Sequence, residues 1–219
     1  LSMADASLGG KTGFDLPRGK NLVGAFYSPD LVLSDPNTLL TLPEVELRCG
    51  LAEVVKQGII LDTQLYDLCA RGWSAVQGGD PAHPDWSEAV RRSVAVKVNV
   101  VNQDPYEKGI RASLNLGHTI GHGLEQASNF SLRHGEAVAI GMVIEADIAV
   151  QLGLAEPSLP EEISRTLQGL GLPVHAPAGL ERETVRRAMS LDKKRAGGKV
   201  HFALPERIGH VKTGVPLDL

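Results

Sequence analysis

The residues of this chain best suited to chemistry are three histidines that lie close together in the sequence. His118 and His122 stand four positions apart in Leu-Gly-His-Thr-Ile-Gly-His, a spacing that puts both imidazoles on one face of a helix. His134 follows 16 positions after His118, directly before Gly135, where a second helix is expected to begin and run back antiparallel to the first. A pair of histidines is as often structural as metal-binding, but three within 17 residues favour a metal site.

A carboxylate that could complete such a site lies far upstream. Glu53 and Lys56 belong to Gly-Leu-Ala-Glu-Val-Val-Lys and share one face of an otherwise apolar helix. On a surface helix they would form an ordinary solvated ion pair. Here the apolar neighbours argue against full exposure, and a buried carboxylate needs a partner such as a metal ion. Two imidazoles, one carboxylate and an open position suit a catalytic zinc ion, although the residues leave open which two histidines would bind it.

Polar side chains that could hold an anionic substrate surround the histidine pair. They are Lys97, Glu107, Arg111 and Asn115. The series Arg111, Asn115, His118 and His122 steps by four, three and four positions, which predicts that these residues share one helix face. Guanidinium and ammonium groups clamp phosphate or carboxylate, and a metal ion grips hydroxyls, so this face suits an oxygen-rich anion. The alternative is a helix face whose charges serve only solubility.

The segment Gly9-Gly10-Lys11-Thr12-Gly13 resembles a phosphate-binding loop. The P-loop motif needs a glycine five positions before the glycine that precedes the lysine, and that position holds Asp5. An ATP-binding P-loop is therefore excluded. A glycine-supported turn that presents Lys11 to an anion stays open.

The elements expected to position these residues are mostly helices. Residues 1–36 are rich in Gly and Pro, and the runs Leu22–Tyr27 and Leu31–Leu33 are predicted to pair as strands. Apolar residues at three- and four-residue steps from Leu47 to Leu68 predict one amphipathic helix. Further helices are predicted over Trp86–Val101, Leu114–Ala127, His134–Leu152, Glu161–Leu170 and Arg182–Met189, and short strands over Lys199–Leu204 and His210–Val215 around Pro205. The helix from His134 is nearly all apolar, so it is expected to be buried on most faces.

The composition excludes several function classes. Of the 219 residues 42% are hydrophobic, enough for a core, and the net charge of -4 with no basic stripe makes nucleic acid an unlikely partner. No run approaches the roughly 20 apolar residues that span a bilayer. Two cysteines, Cys49 and Cys69, give no disulfide framework, which favours a reducing cytoplasm.

Long motifs along the whole chain resemble the 3-dehydroquinate synthase family. They are Asp5-Ala-Ser-Leu-Gly-Gly-Lys-Thr-Gly, Gly19-Lys-Asn-Leu-Val-Gly-Ala-Phe, Gly50-Leu-Ala-Glu-Val-Val-Lys, Leu114-Asn-Leu-Gly-His-Thr-Ile-Gly-His, His134-Gly-Glu-Ala-Val-Ala-Ile-Gly-Met, Asp192-Lys-Lys and Leu204-Pro-Glu-Arg-Ile-Gly. The resemblance implies a lyase of the shikimate pathway of aromatic amino acid biosynthesis. Such an enzyme cyclises 3-deoxy-arabino-heptulosonate 7-phosphate to 3-dehydroquinate with loss of phosphate, using catalytic NAD+ and Zn2+ or Co2+.

The resemblance also implies roles for individual residues. It gives the metal to Glu53, His118 and His134, and so releases His122 for hydrogen bonding or proton transfer. The substrate would be held by His122, Lys56, Lys97, Arg111, Asn115, Glu107, Asp5 and one lysine of Asp192-Lys193-Lys194, taken as Lys194. The nucleotide side would include Lys11, Lys20, Asn21 and the turn of Thr38, Leu39, Leu40 and Thr41.

The family pattern predicts a mainly α fold, a helical metal-binding domain with a short β-rich segment before it. Members have a preceding α/β nucleotide-binding domain, so residues 1–36 are interpreted as its remnant and residues 37–219 as the helical metal and substrate domain. We therefore expect this polypeptide alone neither to bind NAD+ tightly nor to turn over, and the complete enzyme to be a cytoplasmic homodimer.

Three alternatives remain at this point. Other sugar phosphate cyclases, which make 2-deoxy-scyllo-inosose or epi-valiolone, keep the metal triad but tend to change the residues at Arg111 and Asn115, which this chain retains. A polyol dehydrogenase of the glycerol dehydrogenase type has a similar helical metal domain, but a neutral polyol needs no phosphate clamp. A metal-binding or regulatory remnant without activity is the third.

Overall fold

The structure of this protein, a computed structural model, describes residues 1–16, 19–71, 84–193 and 199–218. Within these ranges the side chains of residues 15–16, 19–22, 84–85 and 190–193 are not described. The described helices are α1 (Glu44–Ile60), α2 (Thr63–Ala70), α3 (Pro84–Gln103), α4 (His118–Ala127), α5 (His134–Gln151), α6 (Leu159–Gly169) and α7 (Arg182–Lys193). The strands are β1 (Phe14–Leu16), β2 (Gly19–Val23), β3 (Val200–Arg207) and β4 (His210–Leu217). The mainly helical fold is confirmed.

Helix α5 lies between two hydrophobic clusters. One side contributes Val138, Met142 and Val143 to a cluster that also holds apolar residues of α1, α2, α3 and α6. The other side contributes Ala137 and Ile140 to a cluster with residues of α4, α7 and β3. Because apolar neighbours surround the helix, it needs no polar face, and the predicted burial on most faces is confirmed.

Glycines bring α5 unusually close to two other elements. A Cβ atom on Gly141 would lie 2.0 Å from the carbonyl oxygen of Gly117, and one on Gly135 would lie 2.3 Å from Cα of Cys49. Side chains larger than hydrogen would push the helices apart. These two contacts press the first turn of α5 against α1 and the start of α4 against the middle of α5.

Helix α4 begins at His118, later than the Leu114 start that periodicity predicts. The chain first forms a 3₁₀ turn over Ile110–Asn115, and then Gly117 adopts a left-handed conformation with φ of 76°. Glu145 on α5 caps the new helix from across the packing interface, since its carboxylate accepts from the N–H of Gly117 at 2.5 Å and from that of Ile120, in the first turn, at 3.4 Å. The predicted continuous helix through Arg111 and Asn115 is therefore wrong.

The predicted helix through Leu47 to Leu68 is also wrong in one respect, because it is two helices. The backbone leaves the helical conformation at Leu61, and the Asp62 side chain accepts from the N–H of Leu65 to cap α2. A Cβ on Gly58 would lie 2.8 Å from the backbone nitrogen of Tyr66, so the two helices pack closely.

The N-terminal segment differs from its prediction. A π-helical turn over Ser2–Ala6 packs against α1 and α3, and β1 then pairs antiparallel with β2. The predicted strand Leu31–Leu33 is absent from the described structure: this stretch is irregular, and both leucine side chains are exposed. Pro29 just before it lacks a backbone donor, which weakens any pairing there.

The C-terminal strands form an antiparallel hairpin in which Phe202 pairs with Val215. Strand β3 runs through Pro205 to Arg207, beyond the predicted end at Leu204. A two-stranded hairpin tolerates a proline at an edge or irregularity, and the register shifts between Pro205 and Arg207. The turn is fixed to α1, because the N–H of Gly209 donates to the carbonyl of Ile59 at 2.9 Å.

Among the described residues, every helix is too short or too polar to cross a membrane.

Candidate metal centre

Three helices bring Glu53, His118 and His134 together. Glu53 lies in the middle of α1, and the two histidines are the first residues of α4 and α5. Glu53 Oε1 lies 3.2 Å from Nε2 of His134 and 3.5 Å from Nε2 of His118. The three potential ligand atoms all lie within 4.8 Å of one another. One carboxylate and two imidazole nitrogens that converge in this way could hold a divalent metal ion, and they match the donor types of open catalytic zinc sites.

The carboxylate of Glu53 is fully buried and is held ionised by its neighbours. Burial alone would raise the pKa of Glu53, but the ammonium of Lys56, followed by His118 and His134, holds that pKa well below its usual value. Lys56 Nζ lies 2.5 Å from Glu53 Oε2. Burial in turn acts to lower the pKa of Lys56, and the charges of Asp5 and Glu53 outweigh it and raise that pKa.

The two histidines differ in their preference for a proton. Burial and the charge of Lys56 lower the pKa of His118 to about 3, so its imidazole is neutral, as a metal ligand must be. Burial also acts to lower the pKa of His134, but hydrogen bonds to Glu125 and Glu53 outweigh it and raise the pKa to about 9. A cation that enters the group therefore displaces a proton from His134.

His122 completes a histidine cluster beside the three candidate ligands. Its ring centroid lies 5.4 Å from that of His118 and 6.1 Å from that of His134. A cavity of about 330 Å³ opens on this cluster. Asn115, Lys199 and residues of α4, α7 and β3 line it, among them His118, His122, Met189 and His201. The cavity is large enough for a small substrate, and His122 borders both it and the metal group.

A second polar cluster joins the N-terminal segment to α1 and α3. The backbone carbonyl of Asp5 accepts from Lys97 Nζ, and the Asp5 carboxylate lies 3.1 Å from the same nitrogen and 3.5 Å from Lys56 Nζ. Gln57 Nε2 donates to Asp5 at 3.2 Å. Burial lowers the pKa of Lys97, although Asp5 acts in the opposite direction. Lys56 thus connects Asp5 to the metal carboxylate.

Arg111 does not share one helix face with Asn115 and His118. Arg111 and Asn115 belong to the 3₁₀ turn, in which residues four positions apart point in different directions, and the left-handed Gly117 separates both from His118. The guanidinium of Arg111 is buried and donates to two backbone carbonyls, those of Gly9 at 2.8 Å and Pro105 at 2.5 Å. Its Nε is buried and has no hydrogen-bond partner among the described residues. Arg111 therefore fixes the N-terminal segment through its terminal nitrogens.

Glu107 connects two other candidates. It accepts from Asn115 Nδ2 at 2.8 Å and forms an ion pair with Lys11. Glu107 itself has φ of 57°, and the loop that holds it is ordered by Asp104, whose carboxylate accepts from the N–H of Lys108 and Gly109. Lys11 was predicted on the nucleotide side, and the structure places it against a predicted substrate residue.

The remaining candidates lie elsewhere or outside the description. Thr38 to Thr41 belong to a 3₁₀ turn in which the Thr38 hydroxyl donates to the carbonyl of Asp35 and Leu39 packs on the main core; Leu40 is exposed. Lys20 and Asn21 are on β2, and their side chains are outside the described part. Lys194 falls outside the described residues.

Three buried residues of the site were not predicted from the sequence. Glu125 Oε1 lies 3.4 Å from His134 Nδ1, Gln57 contacts Asp5, and Glu145 holds the start of α4. The spacing of Glu125, three positions after His122, was a signal, since it puts both on the same helix face. A carboxylate within the apolar run of α5 was a signal for Glu145.

Comparison with known families gives two matches that together cover most of the chain. The model of the 3-dehydroquinate synthase C-terminal family matches residues 50–195, and that of the 3-dehydroquinate synthase N-terminal family matches residues 1–49.

Individual relatives of this chain are also 3-dehydroquinate synthases. A 3-dehydroquinate synthase of Xylella fastidiosa is 43% identical over the whole chain, which covers 60% of that protein. One of Symbiobacterium thermophilum is 46% identical over 96% of the chain and 59% of its own length. The chain thus spans about three fifths of the relatives that it matches.

Solved structures of sugar phosphate cyclases share the fold. 2-epi-5-epi-valiolone synthase from Streptomyces hygroscopicus, with NAD+ and Zn2+ bound, superposes with a TM-score of 0.88 at 30% identity, over 99% of this chain and 60% of that one. A 2-deoxy-scyllo-inosose synthase with carbaglucose-6-phosphate, NAD+ and Co2+ gives 0.84 at 26% identity, over 96% and 57%.

Proposed function

Because this chain belongs to the 3-dehydroquinate synthase family, we propose that it forms the metal and substrate part of such an enzyme. The reaction is the cyclisation of 3-deoxy-arabino-heptulosonate 7-phosphate to 3-dehydroquinate with elimination of phosphate. The observation that carries the proposal is the convergence of Glu53, His118 and His134 beside His122 and two buried lysines. Zn2+ or Co2+ fits this donor set.

When bound, the divalent ion would polarise a substrate oxygen and NAD+ would accept and return a hydride. The chain's own side chains would bind and orient the rest of the substrate. Lys56 and Lys97 are buried ammonium groups beside Asp5, suited to bind negatively charged or hydroxyl oxygens in a site with little water. His122, at the edge of the cavity, is placed to move a proton to or from a substrate oxygen.

Asn115, Glu107 and Arg111 would add further polar contacts to the substrate. The amide of Asn115 lines the cavity and is oriented by Glu107. The unpartnered Nε of Arg111 is a buried donor that a phosphate or carboxylate oxygen would satisfy. Lys194 is the further candidate for the substrate carboxylate.

For the nucleotide we propose Lys11, Lys20, Asn21 and the turn of Thr38, Leu39, Leu40 and Thr41, together with an N-terminal nucleotide-binding domain like that of the longer relatives. The boundary at residues 36 and 37 remains a prediction. That the 219-residue polypeptide by itself does not turn over is also a prediction. Robust formation of dehydroquinate by that chain would refute it. The proposed homodimer and cytoplasmic location can be tested by light scattering and cell fractionation.

The decisive experiment grafts this chain in place of the matching part of the Xylella fastidiosa relative. We expect phosphate release equal to dehydroquinate formation, with NAD+ needed in catalytic amounts and no net NADH. His118→Ala should abolish zinc binding and phosphate release, whereas His175→Ala, at an exposed histidine, should change neither. A graft that binds zinc and NAD+ but releases no phosphate would contradict the proposal.

The structural likeness to 2-epi-5-epi-valiolone synthase supports a second candidate, a cyclase of another sugar phosphate. Retained Arg111 and Asn115 favour the heptulosonate. Competition between the two substrates for the same graft would decide, because the ratio of their kcat/KM values gives the specificity. Steady NADH formation from glycerol would instead identify a polyol dehydrogenase.

A further inference from the structure

His134 lies between two carboxylates, one on each of its ring nitrogens. Nε2 faces Glu53 Oε1 at 3.2 Å, inside the metal group, and Nδ1 faces Glu125 Oε1 at 3.4 Å. A neutral imidazole that gives Nε2 to a cation must keep its hydrogen on Nδ1. Glu125 is the acceptor placed for that hydrogen.

The packing of α4 on α5 fixes this contact. Glu125 lies on α4 on the same face as His118 and His122, and His134 opens α5. A Cβ on Gly121 would lie 3.2 Å from the carbonyl of Ala137, so the helices approach closely just beyond His134. Only 4% of Glu125 is exposed, and an ionised carboxylate this buried needs charged or hydrogen-bonding partners.

His118 is oriented by a different kind of acceptor. Its Nδ1 lies 3.0 Å from the carbonyl oxygen of Leu116, so it too presents Nε2 to the metal group. A backbone carbonyl is neutral, whereas Glu125 carries a charge when ionised. A charged acceptor makes the imidazole a stronger donor to a cation, in addition to fixing its tautomer and ring orientation.

We infer that Glu125 is a positioning residue that orients His134 through Nδ1 and strengthens it as a metal ligand. The inference rests on the proposed metal centre and adds a residue to it. His122, Glu125 and His134 form a second group whose possible ligand atoms lie close together, and the inference gives Glu125 a role there other than binding a second cation. In that group the Glu125 oxygen accepts the hydrogen of His134 Nδ1, which leaves this nitrogen no lone pair for a second cation.

The test is zinc affinity, measured on the 219-residue chain by competition with a chromogenic chelator. Glu125→Gln keeps the size of the side chain and removes its charge, and Glu125→Asp keeps the charge and withdraws it by one methylene. We expect each to weaken zinc binding by about 10- to 100-fold and to change the visible spectrum of the Co2+ form. Glu161→Gln, an exposed glutamate on α6, is the matched control and should change neither.

The melting temperature of the metal-free variants separates positioning from folding. Weakened zinc binding with a metal-free melting temperature near that of the wild type supports the inference. Unchanged zinc affinity and Co2+ spectrum in both variants would overturn it. So would a second zinc equivalent in the wild type that disappears in Glu125→Gln while the first is retained, since Glu125 would then be a ligand itself.

A wrong assignment of the metal ligands would give a different pattern of zinc affinities. If the wild-type chain and His118→Ala bound zinc equally, the proposed ligand group would be wrong, and the inference would fall with it. If the wild type binds one zinc that His118→Ala loses, and Glu125→Gln binds it as tightly as the wild type, only the role of Glu125 is overturned.

Discussion

At the scale of single residues, one carboxylate serves two imidazoles with opposite proton preferences. Glu53 lies within 3.5 Å of both His118 and His134, yet only His134 has a raised pKa. The difference arises because burial and then the charge of Lys56 lower the pKa of His118, whereas hydrogen bonds to Glu125 and Glu53 outweigh burial and raise the pKa of His134. If these histidines bind a cation as proposed, His118 would bind it without losing a proton and His134 would give one up.

Glu145 gives a prediction about stability and pH. Burial raises its pKa from 4.5 to about 8, although the N–H groups of Gly117, Ile120 and Thr119 act in the opposite direction. Between these pH values the folded chain holds one more proton than the unfolded chain, so stability falls as pH rises through this window. Glu145→Gln cannot ionise, so above about pH 8 it should be more stable than the wild type by on the order of a few kcal/mol.

The measurement is urea unfolding of both proteins across this pH range. The difference in the free energy of unfolding between them should be smallest near pH 4.5 and level off above pH 8. The pH-dependent contributions of groups that both proteins share, including His134, cancel in this difference in the free energy of unfolding. A pH-independent difference would show that Glu145 stays ionised throughout.

At the scale of elements, the ligands converge because helices approach through glycine. Gly135 against Cys49 brings His134 to α1, and Gly141 against Gly117 brings His118 to α5. These contacts join segments far apart in the sequence, so they cannot be inferred from local periodicity. The start of α4 was mispredicted for the same reason, since the amides of its first turn are satisfied by Glu145 rather than by residues nearby.

Substitution of Gly141 by alanine tests this packing. The new methyl group would lie 2.0 Å from the Gly117 carbonyl, so α4 must shift. We expect a loss of about 1–3 kcal/mol in the free energy of unfolding and weaker zinc binding, because His118 moves with α4. Chemical denaturation and chelator competition measure the two effects.

Gly169→Ala is the control for this substitution. Gly169 is the last residue of α6, and a Cβ there would meet no atom of the described residues within 4 Å. Alanine should leave zinc affinity unchanged and alter stability by less than about 1 kcal/mol. Equal zinc affinity in Gly141→Ala and Gly169→Ala would show that the close approach does not position His118.

The sequence predicted the residue types of the site better than their contacts. The residues themselves pointed to Glu53 and to a cluster of three histidines, and only the family resemblance gave the metal to His118 and His134, which remains a prediction. The helix from His134 was predicted correctly because it is nearly all apolar. The role of Arg111 could not be foreseen. It contacts Gly9, 102 positions away, and only the folded chain brings the two together.

At the scale of the whole molecule, the metal group connects three helices, so zinc should stabilise the entire chain. At a free concentration 100 times the dissociation constant, binding adds about 2.7 kcal/mol. This should raise the melting temperature by roughly 5–10 °C, and a chelator should reverse the shift. Scanning calorimetry with and without zinc measures it, and a shift of equal size in His118→Ala would contradict the proposed ligands.

The ammonium of Lys56, placed between Glu53 and Asp5, makes the two ends of the site interdependent. A cation that binds to Glu53 would change the strength of the interaction between Lys56 and Asp5. It would thereby change how firmly the N-terminal segment is attached. By reciprocity, a ligand that engages Asp5 must change the affinity for the cation by the same factor. The affinity for metal with and without a substrate analogue therefore reports the same coupling free energy as the affinity for the analogue with and without metal.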